Sequence, residues 1–202
     1  MLTIDNLALY KDDKKIFSNL SFSLSTSATL LIVGKNGVGK TSLLKIIAGI
    51  SKATSGKILW GEEDIENFRD DFNGDLQFIG HKNFLKNELT VAQNLEFYAQ
   101  LSGSEVLVSA AISFFKLNDY ANKKVKTLSA GWQKRAMLAK LICCPATIWL
   151  LDEPSNNLDI EGKELLKKLI QTRAKEDGVV ILTAHDQDFS SLGSKLNLED
   201  YQ

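Results

Sequence analysis

At 202 residues, with 44% hydrophobic and 24% charged side chains, the chain has the balance of one globular domain able to bury a real core. Its 24 basic and 25 acidic residues leave a net charge of −1, which excludes the general electrostatic attraction behind non-specific nucleic-acid or anionic-lipid binding. The 2 cysteines are adjacent, Cys143 and Cys144, so neither a disulfide framework nor a CxxC metal site is available, and a reducing compartment is expected. No apolar run reaches the ~20 residues of a bilayer span. The opening "MLTIDNLALYKDD" meets acids too early for a secretory signal. These properties describe a soluble cytoplasmic domain, with any membrane role routed through a partner.

"LTIDNLAL" and "LSFSLS" alternate with period two and predict antiparallel strands joined by the charged turn "YKDDKKIF". "ATLLIV" (28–33) is a continuous apolar run, the pattern of a strand buried on both faces. A glycine-rich turn follows, then "KTSLLKIIAG", a helix stopped by Gly49. "SGKILWGEEDI" predicts a further turn and strand, and "DLQFIG" another short strand. Residues 84–141 change character: "LTVAQNLEFYAQL", "VLVSAAISFFKL" and "SAGWQKRAMLAKLI" carry helical spacing. The expectation is one domain, 1–202, with an α/β core (1–83 and 142–202) and an inserted helical lobe (84–141). The core resumes with the strand "TIWLLDEP", the helix "EGKELLKKLIQTRAK" and the strand "VVILTAH". Strands alternating with helices predict a mainly parallel core sheet with an N-terminal antiparallel part.

Three stretches carry chemistry. Gly34-Lys35-Asn36-Gly37-Val38-Gly39-Lys40-Thr41 matches G-x-x-x-x-G-K-[ST], with Ser42 next in the helix. Glycines let the backbone wrap an anion with successive N–H donors, and the helix directs its positive end at it. Lys40 would neutralise β- and γ-phosphate oxygens and Thr41 would ligate Mg²⁺. "IWLLDEP" delivers Asp152 and Glu153 to a strand end: Asp152 to hold Mg²⁺, directly or through water, and Glu153 to orient or deprotonate the attacking water. The bland alternative is a pair of acids ending a strand. His185, after "VVILT", stands at the next strand end, where an imidazole could hold the γ-phosphate and the water; a hydrogen-bonded structural histidine is the competing reading.

The order GKNGVGKT, LSAG, LLDEP, NNLD, H resembles the nucleotide-binding subunits of ABC transporters over essentially the whole chain. The resemblance implies an ATPase with a P-loop ABC-type fold, in which two copies pair head to tail around two ATPs. Ser129 and Gly131, in the stretch resembling the signature loop, would meet the γ-phosphate bound on the other copy. "SNNLD" (155–159) resembles the D-loop. Tyr10 stands about where the family keeps an adenine-stacking aromatic; a tyrosine merely ending a strand is the alternative. A narrower resemblance, carried by "FIGHKNFLKNELTVAQNLEFYAQL", "LSAGWQKRAMLAKL", "IWLLDEP" and "GVVILTAHD", is to the ATPases of cytochrome c maturation, the haem-exporter type. It implies integral membrane subunits as partners, the cytoplasmic face of a bacterial inner membrane, and ATP use linked to haem delivery. Neither nucleic acid nor direct haem binding is expected. Cys144-Pro145 is a pair that some haem sensors use, but before the acidic strand packing is its expected role.

The chain departs from the family pattern twice. Trp132 replaces the glutamine of LSGGQ, so the capping box of an S-x-x-Q start is lost, though the helix is still expected to begin at Ser129. At the Q-loop, where a glutamine normally touches metal and water, the residue in register is Lys82; a cation there would repel the metal and weaken turnover. Phe84 and Leu85 are read either as lobe core or as the rim of a groove for a coupling helix. The alternatives to a cytochrome c maturation subunit are another ABC exporter ATPase, a soluble ABC ATPase acting on ribosomes or DNA, and a non-hydrolysing regulatory domain.

Overall fold

A computed structural model describes residues 1–82, 84–184 and 189–202. Two sheets organise it. The first is antiparallel, in the order β2-β1-β4-β5, from β1 (Leu2–Lys11), β2 (Lys14–Leu24), β4 (Ser55–Trp60) and β5 (Glu63–Asp64). The β1–β2 turn is tighter than "YKDDKKIF" suggests. Only Asp12 and Asp13 lie outside the strands, at φ 47° and 61°. Aspartate tolerates that left-handed region, and two such residues make the hairpin turn whose twist suits its strands.

The second sheet is parallel, in the order β6-β7-β8-β3-β9, from β3 (Ala28–Val33), β6 (Leu76–Ile79), β7 (Ile148–Asp152), β8 (Val179–Thr183) and β9 (Ser194–Asn197). All five residues of β7 and of β8 are buried. Their alternate side chains feed two cores: Ile148, Leu150, Val179 and Ile181 pack with the antiparallel sheet and α1 (Lys40–Ile47). Trp149, Leu151, Val180 and Leu182 pack with the helices on the other face. An uninterrupted apolar run is what two covered faces require.

That second layer holds α3 (Val91–Leu101), α4 (Val108–Phe114), α5 (Ala130–Cys143) and α6 (Ile160–Lys175). α3 starts with a complete capping box, Thr90 with Gln93. Leu85 is buried in this core, while Phe84 is half-buried and meets the Tyr98 ring edge-on at 5.6 Å, so Leu85 lines no rim. Cys143 and Cys144 are buried, and the Cys144 Sγ lies 3.4 Å from the Tyr98 carbonyl. Two elements escaped the sequence reading: α2 (Arg69–Gly74), with one buried side chain, Phe72, and the edge strand β9. No helix of the described residues is long and apolar enough to cross a membrane.

Candidate active site

The phosphate loop turns from β3 into α1 at Gly39, whose φ is 111° and whose missing Cβ would lie 2.6 Å from Ile16 Cγ2. Backbone conformation and space both demand glycine there. Val38, buried, pins the loop to the core beneath. Lys40 is buried at the loop's centre, and its Nζ donates to the carbonyls of Gly34 (2.6 Å) and Lys35 (3.1 Å). Burial lowers its pKa, against the opposing pull of Glu153, Asp152 and Glu199. A cavity of about 580 Å³ opens over the loop, walled by Asn36, Gly37, the run Gly39 to Ser42, and His81, Glu153 and Asn156. Lys35 is exposed; its N–H donates to Glu199 Oε1 at 2.8 Å and its ammonium pairs with Oε2 at 3.4 Å. No motif announced this brace from the C-terminal turn.

β7 ends at Asp152, which is 1% exposed. Thr183 of β8 donates to its Oδ1 and Thr41 to its Oδ2, each at 2.8 Å. Thr41 Oγ1 and Asp152 Oδ2 are hard oxygens side by side beneath the cavity, a donor set that fits Mg²⁺. Glu153 follows with a left-handed backbone, φ 46°. Its N–H donates to Thr183 Oγ1 (2.9 Å), its carbonyl accepts from Lys134 Nζ (3.3 Å), and its Oε2 accepts from Asn156 Nδ2 (2.5 Å). The carboxylate lines the same cavity as Lys40 and Thr41. His185 lies outside the described residues.

The loop after β6 differs from expectation. His81, not Lys82, turns toward the acids: its Nε2 is 3.2 Å from Asp152 Oδ2 and its Nδ1 3.8 Å from Glu153 Oε2. Lys82 is exposed and is not part of the cavity wall. The chain turns out of β6 at Gly80, and a shift of one residue exchanges the inward side chain. Lys134 was also unforeseen: it is 8% exposed, inside α5, and reaches the acidic strand end.

Ser129 caps α5, accepting from the Trp132 N–H at 3.5 Å, so the helix begins where expected. Gln133 donates to the carbonyls of Val125 and Leu128, each at 3.1 Å. Trp132 stacks on Tyr120, centroids 4.1 Å apart, with the Arg135 guanidinium 4.7 Å from its ring. A Cβ on Gly131 would lie 2.9 Å from the Asn157 carbonyl, so the signature loop touches the D-loop of its own chain. Ser129 is exposed. Tyr10 is 45% exposed at the end of β1 and stands outside the wall of the phosphate cavity.

This geometry accords with what the chain matches. The sequence profile of ABC transporters matches residues 17–156, a span holding the phosphate loop, Ser129, Asp152 and Glu153. The chain belongs to the ABC transporter family. As an ABC ATPase it is 41% identical, over 100% of its length and 95% of the relative's, to the "cytochrome c biogenesis ATP-binding export protein CcmA" of Mannheimia succiniciproducens. The protein of the same name from Wolbachia pipientis is 40% identical over 92% of this chain and 89% of its own. A putative ABC transporter ATP-binding protein from Pyrococcus furiosus superposes with a TM-score of 0.87 at 26% identity, covering 100% of this ABC ATPase and 98% of the other. A dimeric, post-hydrolysis ATP-binding cassette bound to ADP and Pi shares the fold, with a TM-score of 0.82 at 23% identity, covering 98% and 95%.

Proposed function

We propose that this ABC ATPase is the ATP-hydrolysing subunit of a cytochrome c biogenesis export complex, energising haem delivery from the cytoplasmic face of a bacterial inner membrane. The observation that carries the chemistry is the convergence of Lys40, Thr41 and Glu153 on one cavity, with buried Asp152 in contact with Thr41 at 2.8 Å. The export role is supported by whole-length kinship to proteins named for it. The loop N–H groups and Lys40 bind the β- and γ-phosphates of ATP. Thr41 and Asp152 would hold Mg²⁺, which would supply neutralisation of the negative charge that develops during phosphoryl transfer. Glu153 accepts a proton from the water that attacks the γ-phosphorus, giving ADP and phosphate.

One chain is half a site. Ser129, exposed at the N-terminus of α5, directs a hydroxyl and a helix dipole outward; a second copy, paired head to tail, would bring its ATP against them. The dimeric relative bound to ADP and Pi supports that arrangement by analogy of fold. Integral membrane subunits are the other partners, docking the otherwise peripheral chain. Ser129→Arg should leave ATP binding to the monomer intact and abolish steady turnover. Normal turnover by that variant would overturn the sandwich.

A further inference from the structure

Glu153 is held in a conformation that non-glycine residues seldom adopt, and such a pose persists only where its surroundings over-determine it. Thr183 takes the Glu153 N–H, and the Asn156 side chain donates to its carboxylate. Its carbonyl accepts from two donors, the Asn156 N–H and Lys134 Nζ, each at 3.3 Å. Thr183 belongs to the core sheet and Asn156 to the adjoining D-loop. Lys134 comes from the lobe, from the helix that begins at the signature serine.

A lysine serving only as surface charge leaves its head in water. This one is buried, and it spans from α5 to the end of β7, with His81, Met137 and Asn157 around the same small cavity. Burial lowers its pKa to about 8 despite the attraction of Asp152 and Glu153, so the fold tolerates an unfavourable placement to keep the contact.

We propose that Lys134 is a positioning residue through which α5 sets the backbone pose of the catalytic Glu153. This rests on the sandwich reading: ATP of the second copy seats Ser129, α5 is fixed, and Lys134 holds the Glu153 carbonyl so that its carboxylate faces the water. Each site would then be armed by the nucleotide on the opposite one.

The test uses the full chain with ATP and Mg²⁺, comparing Lys134→Met, Lys134→Arg and Glu153→Gln by turnover, nucleotide affinity and sedimentation. Lys134→Met should lose roughly tenfold or more in kcat, as displacement of a reacting group does, with ATP affinity within about threefold of wild type. It should accumulate ATP-dependent dimers as Glu153→Gln does, and Lys134→Arg should recover most of the lost rate. The inference is overturned if Lys134→Met turns over within about twofold of wild type, loses its dimers, or is matched by the arginine variant. If Glu153→Gln itself forms no dimer with ATP, the sandwich falls and takes the inference with it; dimers there, beside normal turnover of Lys134→Met, remove the inference alone.

Discussion

One carboxylate oxygen, Asp152 Oδ2, gathers both Thr41 Oγ1 and His81 Nε2, at 2.8 and 3.2 Å. His81, and not the following residue, is therefore the side chain of this loop that stands against the acidic strand end. His81→Gln should raise the Mg²⁺ concentration for half-maximal ATPase several-fold, whereas Lys82→Gln should leave rate and Mg²⁺ dependence within about twofold of wild type. Equal effects of the two substitutions in a Mg²⁺ titration would contradict the assignment. Lys134 makes a different prediction. Its folded pKa is about 8 against 10.5 for a free lysine, so between those values the unfolded chain holds a proton that the folded chain has released. Stability from this group therefore rises with pH across that window, and below it the charged lysine is a constant cost. Lys134→Met should melt higher than wild type below pH 8, with the difference shrinking toward pH 10.5. A melting temperature lower than wild type throughout would make the lysine a structural support.

At the level of elements, α5 is tied to the start of α6 through one buried side chain. Arg135 donates to Asp159 Oδ1 (2.6 Å) and Glu161 Oε2 (3.0 Å), and Lys116 adds a second bond to Glu161. Asp159 also caps α6 through the Gly162 N–H at 2.9 Å. Arg135→Met keeps much of the stem but leaves Glu161 with Lys116, and Asp159 with the Gly162 N–H and water. The acids are exposed, so rehydration limits the loss to roughly 1–3 kcal/mol in urea unfolding, the range for a charged hydrogen bond; no change would make the pair ornamental. The elements that escaped the sequence reading share a cause. α2 buries only Phe72 and so shows no periodicity, and β9 lies exposed at an edge, held by backbone pairing to β3 that leaves no alternation in "SKLN". By contrast, the start of α5 is legible at Ser129, because capping is satisfied within one helical turn; Thr90 and Asp159 cap α3 and α6 in the same way.

For the whole molecule, the parallel sheet separates two cores and lines up the phosphate loop, β7 and β8 at one edge. That alignment is why ligands of such sheets bind at strand C-terminal ends. Ser129 lies exposed on the same chain, and on the proposed head-to-tail pairing the phosphate it meets belongs to another copy. In a Glu153→Gln background, ATP should therefore double the sedimenting mass, and adding Ser129→Arg should return the chain to monomer. Dimers that survive the arginine would place the interface elsewhere.

The sequence alone determined the phosphate loop, the acidic strand end, the start of α5 at Ser129 and the parallel core, because each is specified by neighbours a few residues apart. A P-loop is a local backbone shape, and a buried strand is a local run of apolar side chains. Only the tertiary structure decided that His81 and not Lys82 faces Asp152, that Glu199 braces Lys35, and that Lys134 holds Glu153. Those contacts join residues from different elements, and whether a side chain points inward there depends on how one element crosses another. Periodicity within a single element carries no record of that crossing.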